Sequence, residues 1–108
     1  MTRKIKIRIL PAADRDIDEQ IAYISRENLD AAGRYVEAVS AILEHIVRMP
    51  GMGATRDYRN PRLAGLRMIP VPGFDNFLVF YQVTPRTVDI VRVLHGARDN
   101  RKILSRLS

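Results

Sequence analysis

The chain has no cysteine, and only two histidines, His45 and His95, among its 108 residues. Without thiols there is no disulfide framework, no thiolate nucleophile and no sulfur metal site, and two histidines far apart in sequence do not make a zinc site. Any chemistry has to come from oxygen and nitrogen groups, and neither metal nor cofactor is expected. Long apolar runs are missing too. Nothing approaches the roughly 18 residues that cross a bilayer, and the opening MTRKIKIRILP interleaves bases with isoleucines where a signal peptide has a continuous apolar stretch. The expectation is a cytoplasmic protein without membrane association. No internal repeat or low-complexity run divides the chain, so residues 1–108 read as one domain. A composition of 46% hydrophobic and 28% charged residues is the balance of a globular fold.

What is present in excess is positive charge, +6 in total and unevenly placed. Residues 1–10 hold Arg3, Lys4, Lys6 and Arg8 with no acid, whereas residues 11–30 hold six acids and two arginines. Bases are again in excess in residues 51–70, with four arginines against Asp57, and in residues 91–108, with five bases against Asp99. Such a distribution favours acidic partners, nucleic acid or acidic polypeptide, with association slowed by salt. It does not choose between them.

Residues 4–9 (KIKIRI) alternate with period two, the pattern of a strand with isoleucines inward and bases outward. Pro11 suits a first helical turn, Asp14 and Asp16 favour the positive helix end, and Ala13, Ile17, Ile21 and Ile24 recur at helical spacing to about Arg26. Asn28 can cap a second helix whose stripe is Ala32, Tyr35, Val36, Val39, Ile42, Leu43, Ile46 and Met49, stopped by Pro50 and Gly51. The short link predicts an antiparallel helical hairpin. Residues 51–61 (GMGATRDYRNP) read as a loop. Strands are predicted at 66–71, 76–84 and 88–95, separated by turns at 72–75 and 85–87. Alternation in the last strand places Ile90, Arg92 and Leu94 on one side and Val91, Val93 and His95 on the other. Ile103, Leu104 and Leu107 suggest a short C-terminal helix or tail.

The order β-α-α-β-β-β predicts an α+β fold in which the hairpin covers one face of a mostly antiparallel sheet. The opposite face is then expected to be open and basic, carrying the bases of the first strand with Arg67 or Arg92 beside them.

Taken in order, P-A-A-x-x-D-I at 11–17, A-Y-I at 22–24, P-G-M-G at 50–53, L-R-M-I-P-V at 66–71, F-L-V-F-Y at 77–81 and R-V-L-H-G-A-R-D at 92–99 resemble the ParE branch of the RelE/ParE toxins of type II toxin–antitoxin modules, a plasmid stabilisation family. The resemblance covers nearly the whole chain. It implies a toxin that inhibits DNA gyrase and is neutralised by a cognate ParD-type antitoxin. That partner has a ribbon-helix-helix domain and a flexible segment that folds onto the toxin, so operator DNA is reached only through it and no small-molecule ligand is implied. The family's toxicity region maps onto residues 92–107. The candidate contact residues for target or antitoxin are Lys4, Lys6, Arg8, Arg67, Arg92, His95, Arg98, Arg101 and Lys102.

The superfamily's RelE-type ribosome-dependent mRNA nucleases supply the alternative. Their reaction needs a general base, a general acid and cations over the scissile phosphate, and the residue types for it here are Arg67, Tyr81, Arg92, His95 and Arg98. The bases Arg56, Arg59 and Arg62 match that branch only loosely, and the V-L-H-G-A-R-D ending is of ParE form. Each residue also has a plainer role. A lone histidine beside Val91 and Val93 is more often a hydrogen-bonded edge residue than a base, Tyr81 suits a core with its hydroxyl at the sheet rim, His45 falls on the polar side of its helix, Arg67 and Arg92 read equally as solubilising a sheet face, and the acids of the first helix read as a wet face. A nucleic-acid-binding module fits least, since the basic strand has no aromatic platforms.

Overall fold

The computed structural model describes residues 5–58 and 60–106. The expectations for Lys4, Arg59 and Leu107 lie outside them. Strand β1 (Lys6–Ile9) leads into α1 (Pro11–Glu27), and α2 (Leu29–Arg48) follows after a single residue. Asn28 makes that sharp link. In extended conformation, it ends α1 with its N–H on the Ile24 carbonyl, and its side chain accepts the Ala31 N–H to cap α2. Pro11 opens α1 as expected.

The predicted loop is more structured than its composition suggests. A 3₁₀ turn at Pro50–Met52 leads into a two-residue strand, β2 (Ala54–Thr55), and a second 3₁₀ turn at Pro61–Leu63 precedes β3 (Arg67–Val71). The meander continues through β4 (Phe74–Val83) and β5 (Thr87–His95) to a short helix, α3 (Asn100–Ser105). Gly73, with φ +79°, closes the β3–β4 turn in a conformation that a side chain would strain. The sheet has five strands, not four, in the order β1-β5-β4-β3-β2, with β1 parallel to β5 and every other pairing antiparallel. This is the expected α+β architecture with one additional edge strand.

The helical hairpin packs on one face. Ala13, Tyr35, Val39, Ile42 and Ile46 meet Val71, Val79, Tyr81, Val88, Ile90 and Val93 in one cluster. Two residues assigned to the α2 stripe, Val36 and Met49, are instead exposed.

The expectation of an open, basic second face is overturned. Leu63, Leu66, Phe80, Val91, Leu94 and Leu104 form a second buried cluster there, with Leu10, Met68, Leu78 and Ile103 packed around it. Leu63 comes from the second 3₁₀ turn, Leu66 from just before β3 and Leu104 from α3. Fully burying a leucine is favourable by about 1.5–3 kcal/mol, enough for each of these side chains to hold an irregular segment down. The bases cannot share that surface as a continuous patch.

The facing of β5 is corrected as well. Phe80 pairs with Arg92 but Tyr81 with Ile90, so Val91 is an extra residue in the ladder. The bulge breaks alternation, so Ile90 and Val93 lie with the helices while Val91 and Leu94 lie in the second cluster.

Candidate functional site

Strand β1 stops at Ile9, opposite Ile90, leaving the edge of β5 beyond that point without a strand partner. Helix α1 supplies one through side chains. The Asp16 carboxylate accepts the Val93 N–H at 3.0 Å, and Gln20 donates to the Val93 carbonyl at 2.8 Å. The same Asp16 accepts two bonds from Arg92, Nε to Oδ2 at 2.6 Å and Nη2 to Oδ1 at 2.7 Å. Gln20 in turn accepts the Tyr35 hydroxyl of α2. Asp16 is therefore buried, contrary to the reading of the α1 acids as a wet face. The bidentate bond to Asp16 holds the Arg92 guanidinium pKa up. Burial, with the nearby Asp16 charge added, pushes the Tyr35 phenol up, so this hydroxyl stays a donor at any physiological pH.

Beside this network is a cavity of about 540 Å³ lined by Asp16, Gln20, Tyr23, Phe74, Phe77, His95 and Arg98, among others. Phe74 and Phe77 meet Tyr35 edge-on at 5.2 and 5.3 Å between centroids, and His95 meets Phe77 likewise at 5.2 Å. Nδ1 of His95 accepts the Ala97 N–H at 3.0 Å, which places the ring proton of the neutral imidazole on Nε2. Arg98 is exposed. The site has an aromatic floor, with Asp16, Glu19, Gln20, His95 and Arg98 at its walls, a form suited to receiving an apolar side chain or ring flanked by polar groups. Asp16, Gln20 and Tyr23 recur at helical spacing beside the main stripe of α1, a signal that was available in the sequence.

The other candidate residues are dispersed. Arg67 donates from Nη1 to the carbonyls of Gly51 and Gly53, at 3.0 and 2.7 Å. Tyr81 is fully buried and its hydroxyl is saturated, donating to the Pro50 carbonyl at 2.9 Å and accepting the Gly53 N–H at 2.8 Å. Glycine is required at 53, because an added Cβ would lie 2.5 Å from that hydroxyl. Arg67 and Tyr81 thus pin the 3₁₀ turn between α2 and β2. Arg8, on the exposed β1, holds Asp89 through two bonds of 2.9 Å and draws its carboxyl below the ordinary value of 3.8. Lys6 is exposed on the same strand. Arg101 lies over the Tyr58 ring at 5.1 Å and Lys102 is exposed on α3.

Of the five residues that could serve RNA cleavage, His95 and Arg98 share a cavity, and Arg92 is joined to its wall through Asp16. Arg67 and Tyr81 stand across the sheet, paired with each other in β3 and β4, while His95 pairs with Phe77 further along β4. The five do not converge on one reacting group. Among the described residues no three His, Asp or Glu side chains gather to hold a metal ion, and no helix is long and apolar enough to cross a membrane.

Residues 7–100 match the ParE toxin of type II toxin–antitoxin system, parDE. The protein Y4kP of Sinorhizobium fredii, named as a candidate toxin, is 29% identical over 104 residues that cover 96% of this chain and 100% of that one. Among solved structures, a chain of the chromosomal ParDE toxin–antitoxin system from P. aeruginosa has a similar fold, with a TM-score of 0.70 and 16% identity over 87% of this chain and 98% of that one.

Proposed function

This chain belongs to the ParE toxin family of type II toxin–antitoxin systems, and on that premise we propose that it acts in the cytoplasm on DNA gyrase, stalling replication, and is held inactive by a ParD-type antitoxin. The structural neighbour from P. aeruginosa comes from a ParDE system, which supports an antitoxin as the partner. Operator DNA is then reached only through that antitoxin.

The observation that carries protein binding over RNA cleavage is the engagement of the nuclease candidates in the fold. A general acid or base must reach substrate, yet the Tyr81 hydroxyl is buried with both bonds made inside the chain. Arg92 is locked to Asp16. What remains accessible is a protein-binding set: the aromatic cavity with His95 and Arg98 at its wall, followed by the bases of α3.

Expression without antitoxin tests the reading. DNA breaks, an SOS-type response and filamentation are expected; translation arrest with codon-positioned mRNA cuts would establish the nuclease alternative. For the site, Arg98→Ala is expected to reduce toxicity with the melting temperature unchanged, and undiminished toxicity would remove Arg98 from the contact surface. Arg98 suits this better than Arg92, whose loss disturbs the fold itself.

A further inference from the structure

The two edges of the sheet are unlike. The β2 edge consists of Ala54 and Thr55 alone, too short to template a further strand. The β1 edge presents four residues, all exposed. Lys6 and Leu10 donate their N–H groups inward, to the Arg86 and Ile90 carbonyls at 3.0 Å each. By the alternation of a strand, the N–H and C=O groups of Ile7 and Ile9 point outward, and no described residue bonds them. Beside them lies a trough of about 480 Å³ lined by Ile7 and by Ser40, Leu43, Glu44, Val47 and Arg48 of α2. Ile7 and Ile9 are 37% and 41% exposed, and Val36, one helical turn before Ser40, is 43% exposed.

We propose that the β1 edge docks an acidic, extended segment of a partner protein, added as a sixth strand with alternate apolar side chains in the Ile7–Leu43–Val47 trough. The inference rests on the antitoxin reading and deepens it by naming an edge, a backbone mode and a charge. Unpaired main-chain groups beside an apolar trough are the requirements of strand addition: the backbone gives affinity and alternate side chains give specificity. Charge selects the occupant. Lys6, Arg48 and Arg86 stand around the site against Glu44, all four exposed, while Arg8 is already paired with Asp89. A second copy of this chain fits badly, because antiparallel pairing of two β1 strands about a two-fold axis sets Lys6 opposite Arg8, and like charges directly opposite are destabilising.

The test uses the full chain labelled with ¹⁵N and two synthetic decapeptides, one alternating valine with glutamate and one alternating valine with lysine. The glutamate peptide is expected to shift the amides of Ile7 and Ile9 and those of α2 between Ser40 and Arg48, and to bind more weakly as salt rises; the lysine peptide is expected not to bind. Ile9→Pro removes an outward N–H, which an edge strand tolerates, and should weaken binding about tenfold or more, the scale of one or two lost hydrogen bonds. Val47→Glu, placed on the helix, should do the same by repulsion if the proline variant fails to fold. Shifts elsewhere, equal binding of the lysine peptide, or Ile7 and Ile9 shifts that grow with protein concentration alone would overturn the proposal. An antitoxin that neutralises the Ile9→Pro chain as well as the parent would also overturn it, leaving the antitoxin reading intact. An antitoxin that fails to bind the parent chain would remove that reading, while the peptides still decide the edge.

Discussion

On one face of the sheet, Tyr35, Val39 and Ile46 of a 20-residue helix press on Val79, Val88 and Val93. On the other, Phe80, Val91 and Leu94 are covered by Leu63 and Leu66 of an irregular segment and Leu104 of a six-residue helix. Both clusters are close to fully buried, yet only the first cover has a repeating pattern of its own. A regular helix is supported along its length by its own hydrogen bonds, whereas the second cover depends on its side chains being held by the sheet. The second face should therefore yield first.

The largest effect is expected where the hairpin is tied to the sheet edge. Arg92→Ala leaves the Asp16 carboxylate, 5% exposed, without its partner, at a cost of about 3–5 kcal/mol, read as a fall in the urea midpoint. Removing both charges together should recover part of that loss; no recovery would show that the loss does not come from leaving the Asp16 carboxylate unpaired. Next comes the second cover. Leu104→Ala, at a position with no exposure, should cost about 2–4 kcal/mol and raise hydrogen exchange in α3 and around Leu66 before it does so in the hairpin. Uniform loosening would make the two faces one cooperative unit.

A smaller effect concerns Tyr35. Its phenol is raised by burial, so the folded state holds the proton more tightly; that stability is present below the ordinary value of 10 and is lost as pH climbs past it. Tyr35→Phe should flatten the alkaline loss, and at neutral pH cost about 1 kcal/mol for the bond to Gln20. The smallest belongs to Arg8 and Asp89. The depressed Asp89 pKa gives stability that is present above 3.8 and lost as pH falls through the lower folded value. Arg8→Ala should move acid unfolding slightly to higher pH, by an amount that vanishes in high salt because the Arg8 side chain is 60% exposed.

The hairpin was legible in the sequence because its signals are local. Pro11 at the start, Asn28 at the joint and isoleucines at helical spacing each act within a turn of their own position. The strands were legible to within a few residues for the same reason. The second cluster was not, since Leu63, Leu66 and Leu104 show no period and meet only through the fold. Nor was the bulge, for alternation in β5 gives no sign of the extra residue at Val91. That single residue moves Val93 and Leu94 to the faces opposite those expected. Of the candidate site, His95 and Arg98 were brought together, while Arg67 and Tyr81 were given to a turn far from them.

By itself, then, the sequence determined the order of elements, the apolar stripe of each helix, the basic character of both chain ends and, through the ordered motifs, the ParE resemblance. All of these depend on residues near one another along the chain. Tertiary structure alone decided which charges are free. Arg92 and Asp16 lie 76 positions apart and Arg8 and Asp89 lie 81 apart, and an arginine whose acid is that distant looks the same in sequence as one facing solvent. It also decided that a four-residue strand ends the sheet with the outward groups of Ile7 and Ile9 bonded by no described residue, since an edge is a property of what fails to arrive beside it.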